Sequence, residues 1–126
     1  MYLLDTHTLL WFLEGDEQLS KPAKDILKNS QNTIVVSIAS LWEIGIKTSI
    51  GKLNLAYSLE NVVENMQLQN IQILPIRPIH IIKMTTLPFH HRDPFDRIII
   101  AQGIIEKATI LSRDGFFKDY GCDLIW

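Results

Sequence analysis

The chain alternates between two kinds of apolar run. The short ones, "YLLD" (2–5), "TIVVS" (33–37), "IQILPI" (71–76), "TILS" (109–112) and "CDLIW" (122–126), read as strands. Between them lie longer segments with helical spacing. "THTLLWFL" follows the first strand and is broken by "EGDEQ". "SKPAKDILKNS" (20–30) opens on Ser20 with a proline in its first turn, and "IASLWEIGIKTSI" follows Ser37 and stops at Gly51. Ser58 opens a helix to about Gln69, Pro78 one to about Met84, and Pro94 one to about Lys107. The last of these contains "IIIAQGII", apolar all round, as a helix pressed on a sheet should be. This alternation predicts a three-layer α/β/α fold on a mainly parallel, roughly five-stranded sheet. No repeat, linker or low-complexity tract divides residues 1–126, so a single domain is expected.

Composition narrows the classes of function. The chain is 47% hydrophobic and 21% charged, a globular rather than a disordered balance. Its net charge is −2 and its pI near 6.0, so no global basic field draws in nucleic acid. A local patch or bound cations would have to supply that attraction. Cys122 is the one cysteine, which excludes an internal disulfide framework and a cysteine-based zinc cluster and suits a reducing, cytoplasmic setting. The apolar N-terminal stretch lacks a basic leader and is interrupted early by acids. Neither a signal peptide nor a membrane span is expected there.

Candidate chemistry is concentrated in four acids. The octet "HHRDPFDR" (90–97) packs two carboxylates against an apolar helix. Asp93 as cap, Pro94 in the first turn and Asp96 near the helix N-terminus have a purely local explanation. Asp5 at the end of the first strand has one too, as a cap, and Asp114 before Gly115 as a turn residue. Glu43 falls at the margin of an apolar arc formed by Ile38, Ala39, Leu41, Trp42, Ile46 and Ile50. It can form a surface pair with Lys47 at i, i+4, or look into a cleft. The joint placement says more than each member. All four acids fall where strand ends and helix ends meet, and ligands of open α/β sheets gather outside the carboxyl ends of the strands. Converging carboxylates repel unless protons or cations intervene, and hard oxygen donors suit Mg²⁺ or Mn²⁺. Such a site can hydrolyse phosphodiesters.

The stretches "LLDTHTLLWFL", "SIASLWEIGIKTSIGKL", "HHRDPFDRIIIAQG" and "ILSRDGFFKDYG" together resemble the PIN-domain ribonucleases, particularly the VapC-type toxins of prokaryotic toxin–antitoxin pairs. The resemblance spans nearly the whole chain in the right order. It implies that Asp5, Glu43, Asp96 and Asp114 hold one or two Mg²⁺ or Mn²⁺ ions and that the protein cuts RNA by metal-activated water. It assigns supporting roles to Thr6 and Ser112, and leaves Asp93 between a supporting role and a cap. It also implies a cognate antitoxin that lays a segment across the active-site groove, and a homodimer. No covalent intermediate and no essential histidine are expected.

Lys47, Lys52, Arg92, Arg97 and Arg113 are candidate RNA contacts, as are the loop residues His90 and His91; each can equally be an ordinary solvated side chain. His7 and His80 are expected to be structural, Trp11 and Trp42 core or interface residues, and Trp126 a buried anchor. Trp11, Phe12 and Phe89 are candidates for an antitoxin contact. Segment 52–70 has the Leu and Val spacing of one packed face and is a candidate clip over the groove. Two rival readings remain. A phosphate-accepting receiver would want its acceptor Asp ending a central strand, where "TIVVS" has Ser37. A non-catalytic PIN-fold protein-binding module would keep the fold and use the acids as caps.

Overall fold

The computed structural model describes residues 1–126. Its strands are β1 (Tyr2–Leu4), β2 (Ile34–Ser37), β3 (Gln72–Leu74), β4 (Thr109–Leu111) and β5 (Leu124–Ile125). The helices are α1 (Thr6–Glu14), α2 (Lys21–Lys28), α3 (Ile38–Ser49), α4 (Leu59–Leu68), α5 (Pro78–Thr86) and α6 (Pro94–Glu106), with a 3₁₀ helix at Gly115–Tyr120. The sheet runs β3-β2-β1-β4-β5, and every neighbouring pair is parallel.

In-register pairing explains how one sheet serves two cores. Leu3 lies level with Val35 and Ile110, and Leu4 with Val36 and Leu111. Because side chains alternate along a strand, each row goes to one face. Leu4, Val36 and Leu111 join Leu9, Leu10, Ile44, Val62 and Met66 in one core. Leu3, Val35 and Ile110 join Ile99, Ile100 and Phe117 in the other. This is the predicted layering. Gly103 lets α6 lie close to β4, since a Cβ there would come within 2.7 Å of Ile110 Cδ1.

The caps follow the sequence. Ser20, Ser37 and Ser58 each accept a backbone N–H at the start of α2, α3 and α4. Two packing expectations need correction. The apolar arc of α3 points inward only in part: Ala39 and Leu41 are buried, but Trp42 is 63% exposed and Ile50 58%, while Ser40 and Glu43 are buried. Trp42 is therefore no core residue, which leaves the interface alternative, and its ring meets Phe95 edge-on at 5.4 Å. Segment 52–70 does pack one face as its Leu and Val spacing predicts, α4 placing Val62 and Met66 in the first core. Trp126, expected as a buried anchor, is half-buried against Trp11 at 5.7 Å.

From β1 the chain steps outward to β2 and β3, then returns to β4 and β5 on the other side. The carboxyl ends of β1 and β4 thus flank the point where strand order reverses, the place where this architecture opens a crevice. No helix is long and apolar enough to cross a membrane.

Candidate active site

Asp5 follows β1 directly and caps α1, its Oδ1 accepting Thr8 N–H at 2.8 Å. Its other oxygen, Oδ2, accepts the Ser112 hydroxyl from just beyond β4. Ser112 Oγ in turn accepts Asp114 N–H at 3.0 Å, and Asp114 Oδ1 caps the 3₁₀ helix through Phe116 N–H at 2.9 Å. The first and last acids are thus joined through one hydroxyl. Burial pushes the Asp5 carboxyl above the ordinary carboxylate range, against the opposing pull of the Ser112 and Thr8 hydrogen bonds.

Glu43 reaches the same region from α3 and is 3% exposed. The Thr6 hydroxyl lies 2.6 Å from Glu43 Oε1 and 3.0 Å from Ser40 Oγ. A hydroxyl has one proton, so Thr6 donates to the carboxylate and accepts from Ser40. Glu43 Oε2 is paired with Lys47 Nζ. Both sequence options for Glu43 are therefore realised, since the i, i+4 pair exists but its acid is buried. Burial pulls the Lys47 ammonium down, yet the Glu43 hydrogen bond and charge, then Asp93 and Asp96, outweigh it and raise its pKa. Lys47 is the internal counter-cation of the cluster.

Asp93 caps α6, its Oδ1 accepting both Phe95 N–H at 2.9 Å and Asp96 N–H at 3.2 Å. That cap leaves Asp96 on the first turn, facing the other acids. Burial first, then the charges of Asp93, Glu43, Asp5 and Asp114, push Asp96 up to about 8. One open cavity of about 210 Å³ is lined by Asp5, Asp96 and Asp114 together with His7, Trp11 and Arg113. A larger cavity of about 440 Å³ between α1, α2 and α4 carries amides and apolar groups but no acid. Chemistry, not volume, marks the smaller one.

The donor set fits a hard divalent cation. Four carboxylates that hold one of their number protonated near neutrality are relieved when a cation replaces the proton. His91 Nε2 sits 3.0 Å from Asp96 Oδ2 and 3.8 Å from Asp114 Oδ2. The three ligand atoms lie within 4.8 Å of one another, close enough to share an ion were the ring nitrogen free. His91 Nδ1 accepts the backbone N–H of Asp93 at 3.0 Å, which assigns the neutral ring's hydrogen to Nε2. His91 thus turns the N–H edge of its ring toward the acids and has no free lone pair to offer a metal there.

The basic residues and histidines divide by burial. Arg97 is a correction: at 6% exposure it cannot meet RNA, and its guanidinium donates to the carbonyls of Met84, Leu87, Pro88 and His91. It fastens the turn that carries His91. A charge inside the run "FDRIII" was the available signal. His7 is a second correction, being exposed and lining the acid cavity rather than packing as a structural residue. His80 is structural, fully buried between Arg77 N–H at 3.0 Å and Glu106 Oε1 at 2.9 Å. Arg92, Arg113, Lys52 and His90 are exposed.

The sequence pattern of the PIN domain family matches residues 2–121. The chain belongs to the PIN-domain family. Its PIN fold recurs in three solved structures. VapBC2 from Rickettsia felis, bound to a DNA fragment from their promoter, contains a chain with a TM-score of 0.71 at 19% identity, over 98% of this chain and 96% of that one. FitAcB from Neisseria gonorrhoeae gives 0.69 at 18%, over 100% and 97%. A toxin–antitoxin complex from Klebsiella pneumoniae gives 0.60 at 16%, over 90% and 87%. At these identities the likeness is one of fold. No curated protein sequence matches the chain.

Proposed function

We propose that this PIN-domain protein is a metal-dependent endoribonuclease, the toxin of a type II toxin–antitoxin pair, acting in the cytoplasm. The carrying observation is the convergence of Asp5, Asp96 and Asp114 on one cavity, with Glu43 near enough to help raise Asp96 to about 8. Asp5, Glu43, Asp96 and Asp114 would hold one or two Mg²⁺ or Mn²⁺ ions. When bound, such ions activate water and stabilise the leaving oxyanion of a phosphodiester.

The chain's own residues prepare that chemistry. Ser112 and Thr8 orient Asp5, and Thr6 orients Glu43. Asp93 anchors the helix start beneath Asp96. His91 Nε2 lies 3.0 Å from Asp96 Oδ2, and Arg113 at the cavity offers a cation to an incoming phosphate. A toxin role is supported by fold-sharing chains in VapBC2, FitAcB and a named toxin–antitoxin complex. A homodimer and an antitoxin are the proposed partners. An apolar cavity of about 280 Å³ lined by Trp42, Ile81, Met84 and Phe95 supports a docked protein surface.

The test is incubation of purified protein with an RNA pool in Mg²⁺, Mn²⁺ or EDTA, with analysis of fragment ends. Cation-dependent fragments carrying 5′-phosphates support the reading. Cation binding without cutting, or neither, favours the non-catalytic module.

A further inference from the structure

The cavity that gathers the acids has a second lining. His7 and Trp11 stand one helical turn apart on α1, their rings 5.7 Å apart and tilted by 30°. The Arg113 guanidinium carbon lies 5.4 Å from the centre of the Trp11 ring. His7 and Arg113 are exposed, and Trp11 is half-buried with Trp126 packed on it. All three line the same cavity as Asp5, Asp96 and Asp114. Nothing in cation chemistry calls for two flat rings and a guanidinium beside three carboxylates. A nucleotide does.

We propose that His7, Trp11 and Arg113 form a nucleobase subsite: one unpaired base next to the scissile phosphate stacks on the His7–Trp11 pair, and Arg113 meets the adjoining backbone phosphate. This rests on the ribonuclease reading and names the part of the substrate that reading leaves open. Aromatic side chains take bases of single strands by their π faces, with arginine adding cation–π attraction, and they do so with little sequence preference. Bases within a duplex present no such face, so the bond cut must be flanked by an unpaired nucleotide. The subsite sets strandedness and register, not base identity.

The experiment compares the whole protein with His7→Ala, Trp11→Ala, Trp11→Phe and Arg113→Met on a short single-stranded RNA and its abasic derivatives. The abasic residue is placed in turn at each position flanking the cleaved bond. For wild type, one abasic position raises KM by between about fivefold and about a hundredfold, the range for losing one stacked base. His7→Ala and Trp11→Ala show a raised KM on the intact RNA and little further penalty from the abasic residue. Trp11→Phe keeps a ring and keeps the penalty. Mn²⁺ affinity of Trp11→Phe and of folded Trp11→Ala stays as in wild type, because these substitutions change neither the acids nor the charges that line the cavity. His7 is exposed, so its variant folds even where Trp11→Ala does not.

A wild-type KM and a full abasic penalty in His7→Ala and Trp11→Phe, or in a folded Trp11→Ala, would overturn the subsite. If those variants lose only a protein partner, the rings belong to that partner's interface and the proposal is equally overturned. Wild-type protein that binds Mn²⁺ yet cuts no RNA would instead remove the nuclease reading on which the subsite rests.

Discussion

The Ser112 hydroxyl donates to Asp5 Oδ2 across the gap between two adjacent parallel strands, and both groups are buried. Asp5 has no ion pair to balance it, so this bond and the Thr8 N–H carry its orientation. Ser112→Ala removes a hydrogen bond to a charged group and should cost about 1.5–3 kcal/mol of stability. It should also weaken Mn²⁺ binding, because Asp5 and the Asp114 backbone lose their shared anchor. Denaturant melts and Mn²⁺ titration of the variant check both; wild-type values in each would contradict the assignment.

Asp96 gives the pH dependence. Its folded pKa is about 8 against 3.8 for the free group, so the folded state holds a proton that the unfolded state releases above about pH 4. The native advantage is fully present below the unfolded value and is lost as pH rises to 8. In EDTA, wild-type stability should therefore fall relative to Asp96→Asn between pH 4 and 8, and run parallel above 8. Mg²⁺ or Mn²⁺ should displace the proton, so cation affinity should rise over the same window. Thermal melts across pH, with and without cation, measure this, and a flat difference between the two proteins would refute it.

Arg97 should behave as a structural clamp with a functional reach. Its buried guanidinium satisfies four backbone carbonyls and lies under the exposed Phe89 ring at 4.2 Å. Arg97→Met orphans these acceptors and should destabilise by at least about 3 kcal/mol, and Arg97→Lys should recover only part, since an ammonium lacks the planar fork. Denaturant midpoints decide it. A loss of RNA binding without a loss of stability would restore Arg97 as an RNA contact.

The apolar surface of α3 and α5 should mediate self-association. Trp42 is 63% exposed and Ile81 48%, and both line one apolar cavity with Met84 and Phe95, a patch that water penalises in a lone monomer. Trp42→Asp with Ile81→Asp should shift light-scattering mass from dimer to monomer with the melting temperature of the monomer unharmed. A wild-type protein that stays monomeric at every concentration would remove the dimer.

Strand identity was legible because each short run is bounded by turns and caps, and the two-faced sheet because those runs are continuously apolar. The acids were legible by their place at strand and helix ends. What the sequence hid depends on contacts between distant elements. The α3 wheel put Trp42 in the apolar arc, as core or interface, because it weighed hydrophobicity alone, whereas Glu43 and Ser40 are buried with their bonds to Thr6 and Lys47. His91 looked like a loop residue, because only the folded turn brings its ring to Asp96 and Asp114. His7 looked structural because nothing local reveals the cavity it lines.

The most direct test is RNA cleavage by wild type, Asp5→Asn and Asp96→Asn, each verified as folded, in Mg²⁺ and in EDTA. Wild type should cut in Mg²⁺ and not in EDTA, and both variants should lose at least about a hundredfold. Cutting that persists in EDTA, or that survives both substitutions, would contradict the metal-dependent acid site.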